Sequence, residues 1–359
     1  MLHLSITLCL CYFLTVTVTV AELENQLSLA NFFSNQYINE INSIQQFWKA
    51  GRNFDPDTTL EDVRNLLGEL DSEVPEKSKI KNSDHEWPSV DEIPETFDAR
   101  THWRKECPRI SEVLDQGHCG SCWAVSSSSA ATDRHCIKSK GKLQIRLSAN
   151  HITACCHHCG HACFGGKTRL AWDFYHTHGL ITGGSYNSSE GCQPYSIESC
   201  EHGGSGSTSS TLPSCSSLPK EDPVCSTKCT NKGYRIPFKR DRHKNKDSYV
   251  IMGAETIQKD ILAHGPMVVS FKTYSDFPHY KSGVYVKTSR ASRIGNHAVK
   301  VIGWGKDKIN GRDLPYWLIM NSWNEQWGDK GLFKILRGSN HCGVEERATG
   351  GVPRHYYKT

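Results

Sequence analysis

The chemistry-bearing stretch is Gln116-Gly117-His118-Cys119-Gly120-Ser121-Cys122-Trp123-Ala124, with two cysteines three positions apart among small residues. The small residues predict a loop that leads into a helix. A thiol at a helix start sits where backbone N–H groups and the helix dipole favour the thiolate, the species that attacks carbon. Gln116 offers a side-chain amide able to stabilise an oxyanion. The same pair also reads as a redox Cys-x-x-Cys motif or as two ordinary disulfide cysteines. Taken alone, the stretch leaves these chemistries open.

A thiol nucleophile needs a base, and the chain has eighteen histidines. Most are read simply as structural or solvated. His297 differs because it opens an apolar, β-rich segment, Gly295-Asn296-His297-Ala298-Val299, where a strand end would hold its ring across a cleft from Cys122. An orienting group should hydrogen-bond the other ring nitrogen. Asn321 directly follows the segment ending at Met320, and Trp323 is close enough to shield that bond from water. The order Gln116, Cys122, His297, Asn321 fits nucleophilic acyl transfer.

These residues need a scaffold, and 359 residues at 37% hydrophobic and 22% charged content suffice for a soluble protein with a sizeable core. A net charge of +4 points to neither nucleic acid nor membrane as partner. Residues 4–20 form an apolar run carrying four threonines and ending before Ala21. The run reads as a signal peptide, residues 1–21, rather than a membrane anchor, and implies a secreted or lysosomal protein. Sixteen cysteines are present. Cys9 and Cys11 leave with the signal, and all the others lie between Cys107 and Cys342. In an oxidising compartment most must pair. The cysteine-free stretch before Glu106 therefore reads as a temporary segment joined to a durable one.

Within 22–70, Phe33, Tyr37, Ile41 and Ile44 recur at helical spacing, as do Leu60, Val63, Leu66, Leu67 and Leu70. Phe47 to Phe54 between them reads as a helix end followed by a turn. Asp71 to Asp91, with Pro75 and Pro88, reads as an exposed linker, either a cleavage site or a plain connector. Trp123 to about Lys138 predicts a central helix burying one face. The cluster Cys155-Cys156-His157-His158-Cys159-Gly160-His161-Ala162-Cys163 suggests zinc at first sight. Zinc-ribbon ligands come as separated pairs, however, and a secreted chain favours disulfides. Residues 200–230 read as loop, Lys239 to Lys246 as a solvated basic loop, and Asn187-Ser188-Ser189 as an N-glycosylation acceptor. After Tyr249, short apolar segments at 267–271, 283–286, 298–304, 316–320 and 332–335 predict strands. The durable part is thus a helical half, about 107–245, and a sheet half, about 246–350, with a cleft between them.

The chain resembles the papain-like cysteine peptidases, and within them the cathepsin B branch. Cys119-Gly120-Ser121-Cys122-Trp123 matches the papain-type signature. Further marks are Trp48-x-Ala50-Gly51-x-Asn53-Phe54, Ile93-Pro94-x-x-Phe97-Asp98-Ala99-Arg100, the Cys155-Cys156 doublet, Pro194-Tyr195-Ser196-Ile197 before Cys200-Glu201-His202, and Trp327-Gly328-Asp329. Together they run from about Trp48 to Pro353. His297 lies 175 positions after Cys122, beyond the usual span of about 130–150, so extra chain intervenes. The branch carries an occluding-loop insertion, which looks like Cys200 to Cys215 here.

The resemblance implies an α+β, papain-like two-domain fold: a helical left domain, an antiparallel sheet or barrel on the right, and the active site between. It implies a propeptide over 22–92 that inhibits a mature peptidase over 93–359, and Cys122 as nucleophile, His297 as acid and base, and Asn321 as orienter. Gln116 with the Cys122 N–H would form the oxyanion hole. Cys122 and His297 would form a thiolate–imidazolium pair, for which papain's own thiol is known at a pKa of about 3–4. Gly165, Gly166, Trp323, His202 and Arg347 would contact substrate. The implied bridges are Cys107–Cys136, Cys119–Cys163, Cys155–Cys225, Cys156–Cys159, Cys192–Cys229 and Cys200–Cys215, leaving Cys122 and Cys342 free. No cofactor or metal is expected, and the partners are peptide and protein substrates and cystatin-like inhibitors of a monomer.

Three positions depart from the branch pattern. Gly203 stands where a second occluding-loop histidine would anchor a substrate's C-terminal carboxylate. This predicts weak dipeptidyl carboxypeptidase activity and dominant endopeptidase activity. Arg347 stands where an acidic residue reaches the floor of the S2 pocket. It predicts exclusion of arginine at P2, a hydrophobic P2 preference, and tolerance of acidic P2. Phe164 replaces the polar residue that usually precedes Gly165-Gly166. Two alternatives compete with the peptidase: a catalytically silent homologue acting as a binding protein, and a disulfide- or zinc-stabilised structural protein.

Overall fold

The local signals of residues 32–71 act first, and the computed structural model shows where they lead. It describes residues 32–55, 58–71, 87–202 and 211–354. The expected signal peptide, most of the 71–91 linker, and Gly203 with the glycine- and serine-rich stretch to 210 lie outside the described residues. Helix α1, Asn35–Ile44, starts at Ser34, whose hydroxyl accepts the Tyr37 N–H at 3.1 Å and satisfies one unpaired donor of the first turn. Helix α2, Leu60–Leu66, opens with a reciprocal capping box between Thr59 and Asp62 and buries Leu60, Val63 and Leu66.

Between these helices the expected helix end and turn is replaced by strand β1, Trp48–Ala50. Its backbone pairs antiparallel with a strand far along the chain, at Tyr280–Tyr285, while Trp48 and Ala50 turn inward. A three-residue strand carries too little pattern to announce itself, and its partner is non-local.

Strand β2, Phe97–Asp98, and helix α3, Ala99–His102, begin the cysteine-rich part, followed by α4, Cys122–Lys138, α5, Ala149–Cys155, and α6, Thr168–Thr177. Helix α4 was expected to bury one face, but it is buried almost all round because both halves of the molecule pack on it. Its polar residues are satisfied accordingly. The Ser126 hydroxyl donates to Ala298 O at 2.9 Å, Lys300 reaches Asp133 at 2.8 Å, and Arg134 donates to Pro266 O and Asp260 at 2.7 and 2.5 Å. The basic run also has structural work. Arg242 and Lys244 donate to His178 O and Thr177 O at the C-terminal end of α6, where the helix dipole favours cations, and Asp241 is buried against Thr182.

The second half contains β3, Tyr249–Ile251, α7, Ala254–His264, β4, Met267–Tyr274, β5, Tyr280–Tyr285, β6, Arg293–Ile309, β7, Arg312–Met320, β8, Leu332–Leu336, and β9, Ala348–Gly350. The strands follow the order β1-β5-β8-β7-β6-β4-β9-β3, with β2 also on β6. All pairings are antiparallel except β5 with β8. Strand β6 is longer at both ends than its apolar segment suggested. His297 therefore sits inside the ladder, opposite Phe271, rather than at its mouth.

Among the described residues six disulfides brace the chain: Cys107–Cys136, Cys119–Cys163, Cys155–Cys225, Cys156–Cys159, Cys192–Cys229 and Cys200–Cys215. These are the pairs that the resemblance implies, and Cys122 and Cys342 stay free. Among the described residues, no helix is long and apolar enough to cross a membrane.

Candidate active site

Cys122 is the first residue of α4 and is fully buried. Its N-cap, Ser121, does not cap with its side chain; that hydroxyl pairs with Tyr195 at 2.6 Å and fixes the loop instead. Ser126, one turn further along α4, fastens the helix to Ala298, the neighbour of His297. The backbone of Ala298 also hydrogen-bonds the Cys122 sulfur, so the two halves meet at the thiol.

His297 Nε2 lies 2.7 Å from Asn321 Oδ1. A carbonyl oxygen accepts, so Nε2 carries the proton and Nδ1 is the basic nitrogen. Among the described residues Nδ1 has no hydrogen-bond partner. Trp323, fully buried, stacks on the imidazole with ring centroids 4.8 Å apart and covers the Asn321 bond. Gln116 is held at two points, its N–H donating to Ser322 O at 2.9 Å and its Oε1 accepting from the Ser322 hydroxyl at 2.6 Å. Its amide nitrogen then faces the cleft. The four residues chosen from order and chemistry thus converge on one place. Ser322 is an addition that sequence reasoning missed, although it lies next to Asn321.

The cleft is filled by the chain's own residues 66–71. Gln116 Nε2 donates to Leu66 O at 2.9 Å and to Cys119 O at 2.7 Å, so a carbonyl of this segment meets the amide expected to bind an oxyanion. Gly68 passes so near Gly120 that a Cβ there would lie 1.7 Å from its carbonyl oxygen, which explains the glycine. Gly166 donates to Gly68 O at 2.8 Å and accepts from Leu70 N–H at 2.9 Å, bracketing Glu69. Gly166 itself lies against the Trp123 ring, with no room for a side chain. Gly165 is at φ +107°, a backbone region that favours glycine.

Burial pushes the Cys122 thiol up to about 12, with backbone hydrogen bonds from Ala298, Gly68 and Trp123 opposing and the Glu69 charge adding to the rise. It pushes His297 down to about 4, against the Asn321 hydrogen bond. Both shifts disfavour charge. The covering chain excludes water from the site, so burial works against charge on both groups while residues 66–71 are docked.

His202 is not open to a ligand here. It is fully buried, its Nε2 lies 3.1 Å from Asp115 Oδ1, and its ring faces Trp323 and the propeptide's Phe54. Asp115 also accepts from the N–H groups of Gly117 and Cys200 and from Asn324, and so ties the insertion to the cleft wall. Arg347 is half-buried and acts on two propeptide carboxylates, Glu69 and Asp71. Phe164 is 71% exposed on the rim. Asn187 lies on the surface in a left-handed conformation. Two clusters have metal-like composition, Cys156/His158/Cys159 and Cys200/His202/Cys215. Their sulfurs are consumed in disulfides and offer no thiolate.

Comparison with known proteins agrees with this geometry. Residues 93–352 match the family described as papain family cysteine protease, and residues 33–72 match the peptidase family C1 propeptide. Cathepsin B-like cysteine proteinase 4 of Caenorhabditis elegans is 42% identical over 315 residues, covering 88% of this chain and 90% of the relative. The cathepsin B-like cysteine proteinase of Schistosoma japonicum is 41% identical over 308 residues, covering 85% and 86%. The solved structure of proCathepsin B S9 from Trypanosoma congolense has a TM-score of 0.74 at 32% identity, covering 90% of this chain and 99% of that one. Digestive procathepsin L2 from Tenebrio molitor, at 23% identity and TM-score 0.59, shares the fold.

Proposed function

The chain belongs to the papain family of cysteine proteases, and from that premise we propose that Cys122, His297, Asn321 and Gln116 hydrolyse peptide bonds once a propeptide, residues 22–92, has left the mature domain, 93–359. The observation that carries this reading is the His297–Asn321 bond, which leaves Nδ1 unpartnered in the residue next to Ala298, whose backbone hydrogen-bonds the Cys122 sulfur. Departure of residues 66–71 would return water to the cleft and remove the burial that works against charge on the pair. The thiol proton then passes to Nδ1, giving the thiolate–imidazolium pair, and sulfur attacks the scissile carbonyl carbon. The oxyanion takes the Gln116 amide contact that Leu66 O now holds, together with the Cys122 N–H. Collapse expels the amine, which leaves with the proton from Nδ1. Water, deprotonated by the same nitrogen, hydrolyses the thioester and frees the thiol.

Endopeptidase action should dominate. His202 is engaged by Asp115, and Gly203 has no imidazole to hold a substrate's terminal carboxylate. Arg347 should disfavour arginine at P2. Substrates are peptides and proteins, the enzyme acts as a monomer open to cystatin-like inhibitors, and its site is the secretory pathway, lysosomal or extracellular. Processed protein treated with a thiol-directed epoxide should gain one adduct at Cys122 and lose hydrolysis, with internal cleavage exceeding release of C-terminal dipeptides. Absence of both labelling and hydrolysis after removal of the propeptide would leave the binding-protein reading instead.

A further inference from the structure

Glu69 is a carboxylate buried at 4% exposure in the cleft of its own chain. The backbone on both sides of it pairs with Gly166, which directs the side chain into a pocket of the mature domain. There the Thr168 hydroxyl donates to Oε1 at 3.1 Å and the Thr168 N–H to Oε2 at 3.3 Å. Burial raises the Glu69 carboxyl to about 7, opposed by the charge of Arg347 and by hydrogen bonds from Thr168 and the Ser270 hydroxyl, so in acid the side chain docks as the neutral acid. Ser270 lies on β4 one residue before Phe271, the register partner of His297, and is itself buried. The Glu69 charge is felt at the Cys122 sulfur, so this pocket adjoins the nucleophile.

An apolar specificity pocket would leave a buried carboxylate unsatisfied, at a cost that excludes it. This one supplies two hydroxyl groups, a backbone N–H and a guanidinium, a donor set with no acidic group among the named partners. Arg347, expected at the floor of S2, and Gly166, expected to contact substrate, identify the pocket with S2. Its polarity differs from the hydrophobic preference expected there. We propose that Thr168, Ser270 and Arg347 form a carboxylate-accepting S2 pocket, that the mature enzyme selects peptides with glutamate or aspartate at P2, and that Glu69 is an internal mimic of that side chain. The inference rests on the peptidase reading of the site and narrows its substrate class.

The docked propeptide has already measured the pocket's depth, since a glutamate side chain reaches both Thr168 groups. Glutamate should therefore fit better than aspartate, and in acid, where the docked carboxyl is neutral, the isosteric glutamine should bind about as well. Arginine would place a second guanidinium beside Arg347.

The test compares kcat/KM for peptides differing only at P2, with Glu, Gln, Leu, Phe and Arg, on mature enzyme processed from the full chain at one fixed acidic pH. The expected order is Glu and Gln above Leu and Phe, with Glu over Arg by about tenfold or more, since P2-Arg would meet Arg347 as a second positive charge. Arg347→Glu should invert the Glu/Arg ratio, and Thr168→Val with Ser270→Ala should lower the Glu/Leu ratio of kcat/KM. Faster cleavage of P2-Phe, P2-Leu or P2-Arg than P2-Glu by the unmodified enzyme overturns the carboxylate pocket and leaves the peptidase reading standing. Cleavage of none of the peptides, with no epoxide adduct at Cys122, overturns both. If Arg347→Glu does not fold, the Thr168 and Ser270 variants decide by the same ratio.

Discussion

Replacing His279 with phenylalanine should flatten one component of the pH dependence of propeptide binding. His279 belongs to the mature domain, yet Phe32, Phe33 and Tyr37 of the propeptide surround it with ring centroids 5.1, 5.2 and 5.5 Å away. Among the described residues only the backbone of Phe32 and Gly51 approaches its ring nitrogens, and neither makes a hydrogen bond of good geometry. Burial, helped by the charge of Arg52, pushes its pKa down to about 3. Every one of those neighbours leaves with the propeptide, so the freed imidazole should return toward its usual value of about 6.5.

The docked state thus binds fewer protons at His279 than the undocked state. The His279 contribution to docking is full above about pH 6.5 and falls by about 1.4 kcal/mol for each pH unit below it, until the pH nears 3. At pH 4.5 this amounts to about 2.7 kcal/mol, or roughly a hundredfold weaker binding than at pH 7.5. Glu69 works the other way. Burial raises it to about 7, so its contribution to docking is full below the ordinary carboxylate range and lost as the pH rises through 7. The unmodified protein therefore sums two opposing slopes, and the ratio between it and His279→Phe isolates the histidine. The assay is the Ki of the separate propeptide against mature enzyme at both pH values. The ratio of Ki for the unmodified enzyme to Ki for His279→Phe should rise by about a hundredfold from pH 7.5 to 4.5. A ratio that stays constant would refute the argument. A propeptide carrying Glu69→Gln should lose affinity in acid more steeply than the original.

Gln116→Ala should lower kcat by about a hundredfold or more, the usual effect of removing one oxyanion donor. Ser322→Ala leaves Gln116 Oε1 without its 2.6 Å partner and should cost about tenfold, mostly in kcat; steady-state kinetics on one peptide compares the two, and equal losses in KM alone would contradict both roles. Asp260→Ala strands the buried guanidinium of Arg134, which Asp260 meets at 2.5 Å beneath the seam of the two halves. It should reduce zymogen stability by about 3–5 kcal/mol in denaturant titrations with disulfides intact.

The reactive residues were legible because chemistry limits the choice. Cys122 follows a small-residue loop, His297 and Asn321 flank apolar strand segments, and an acyl-transfer site needs all three types. Local propensity also announced α2 and the core of α4, where caps and helical spacing act within a few residues. It failed at β1, because three residues in extended conformation depend on a partner at 280–285. It also understated the burial of α4, since nothing local reveals that a second half will close over Ser126 and Asp133.

Residue type and spacing by themselves singled out the candidate nucleophile, base and orienter and suggested a temporary and a durable segment, and the family resemblance supplied the disulfide scheme. Those properties reside in covalent identity and short-range geometry. Tertiary structure alone decided that burial works against charge on the covered thiol and imidazole, that Asp115 holds His202, and that Glu69 fills a polar pocket near Arg347. Each of these depends on water being excluded, or on groups from distant segments meeting. Burial and long-range contact belong to the folded chain as a whole and have no signature in any one stretch of it.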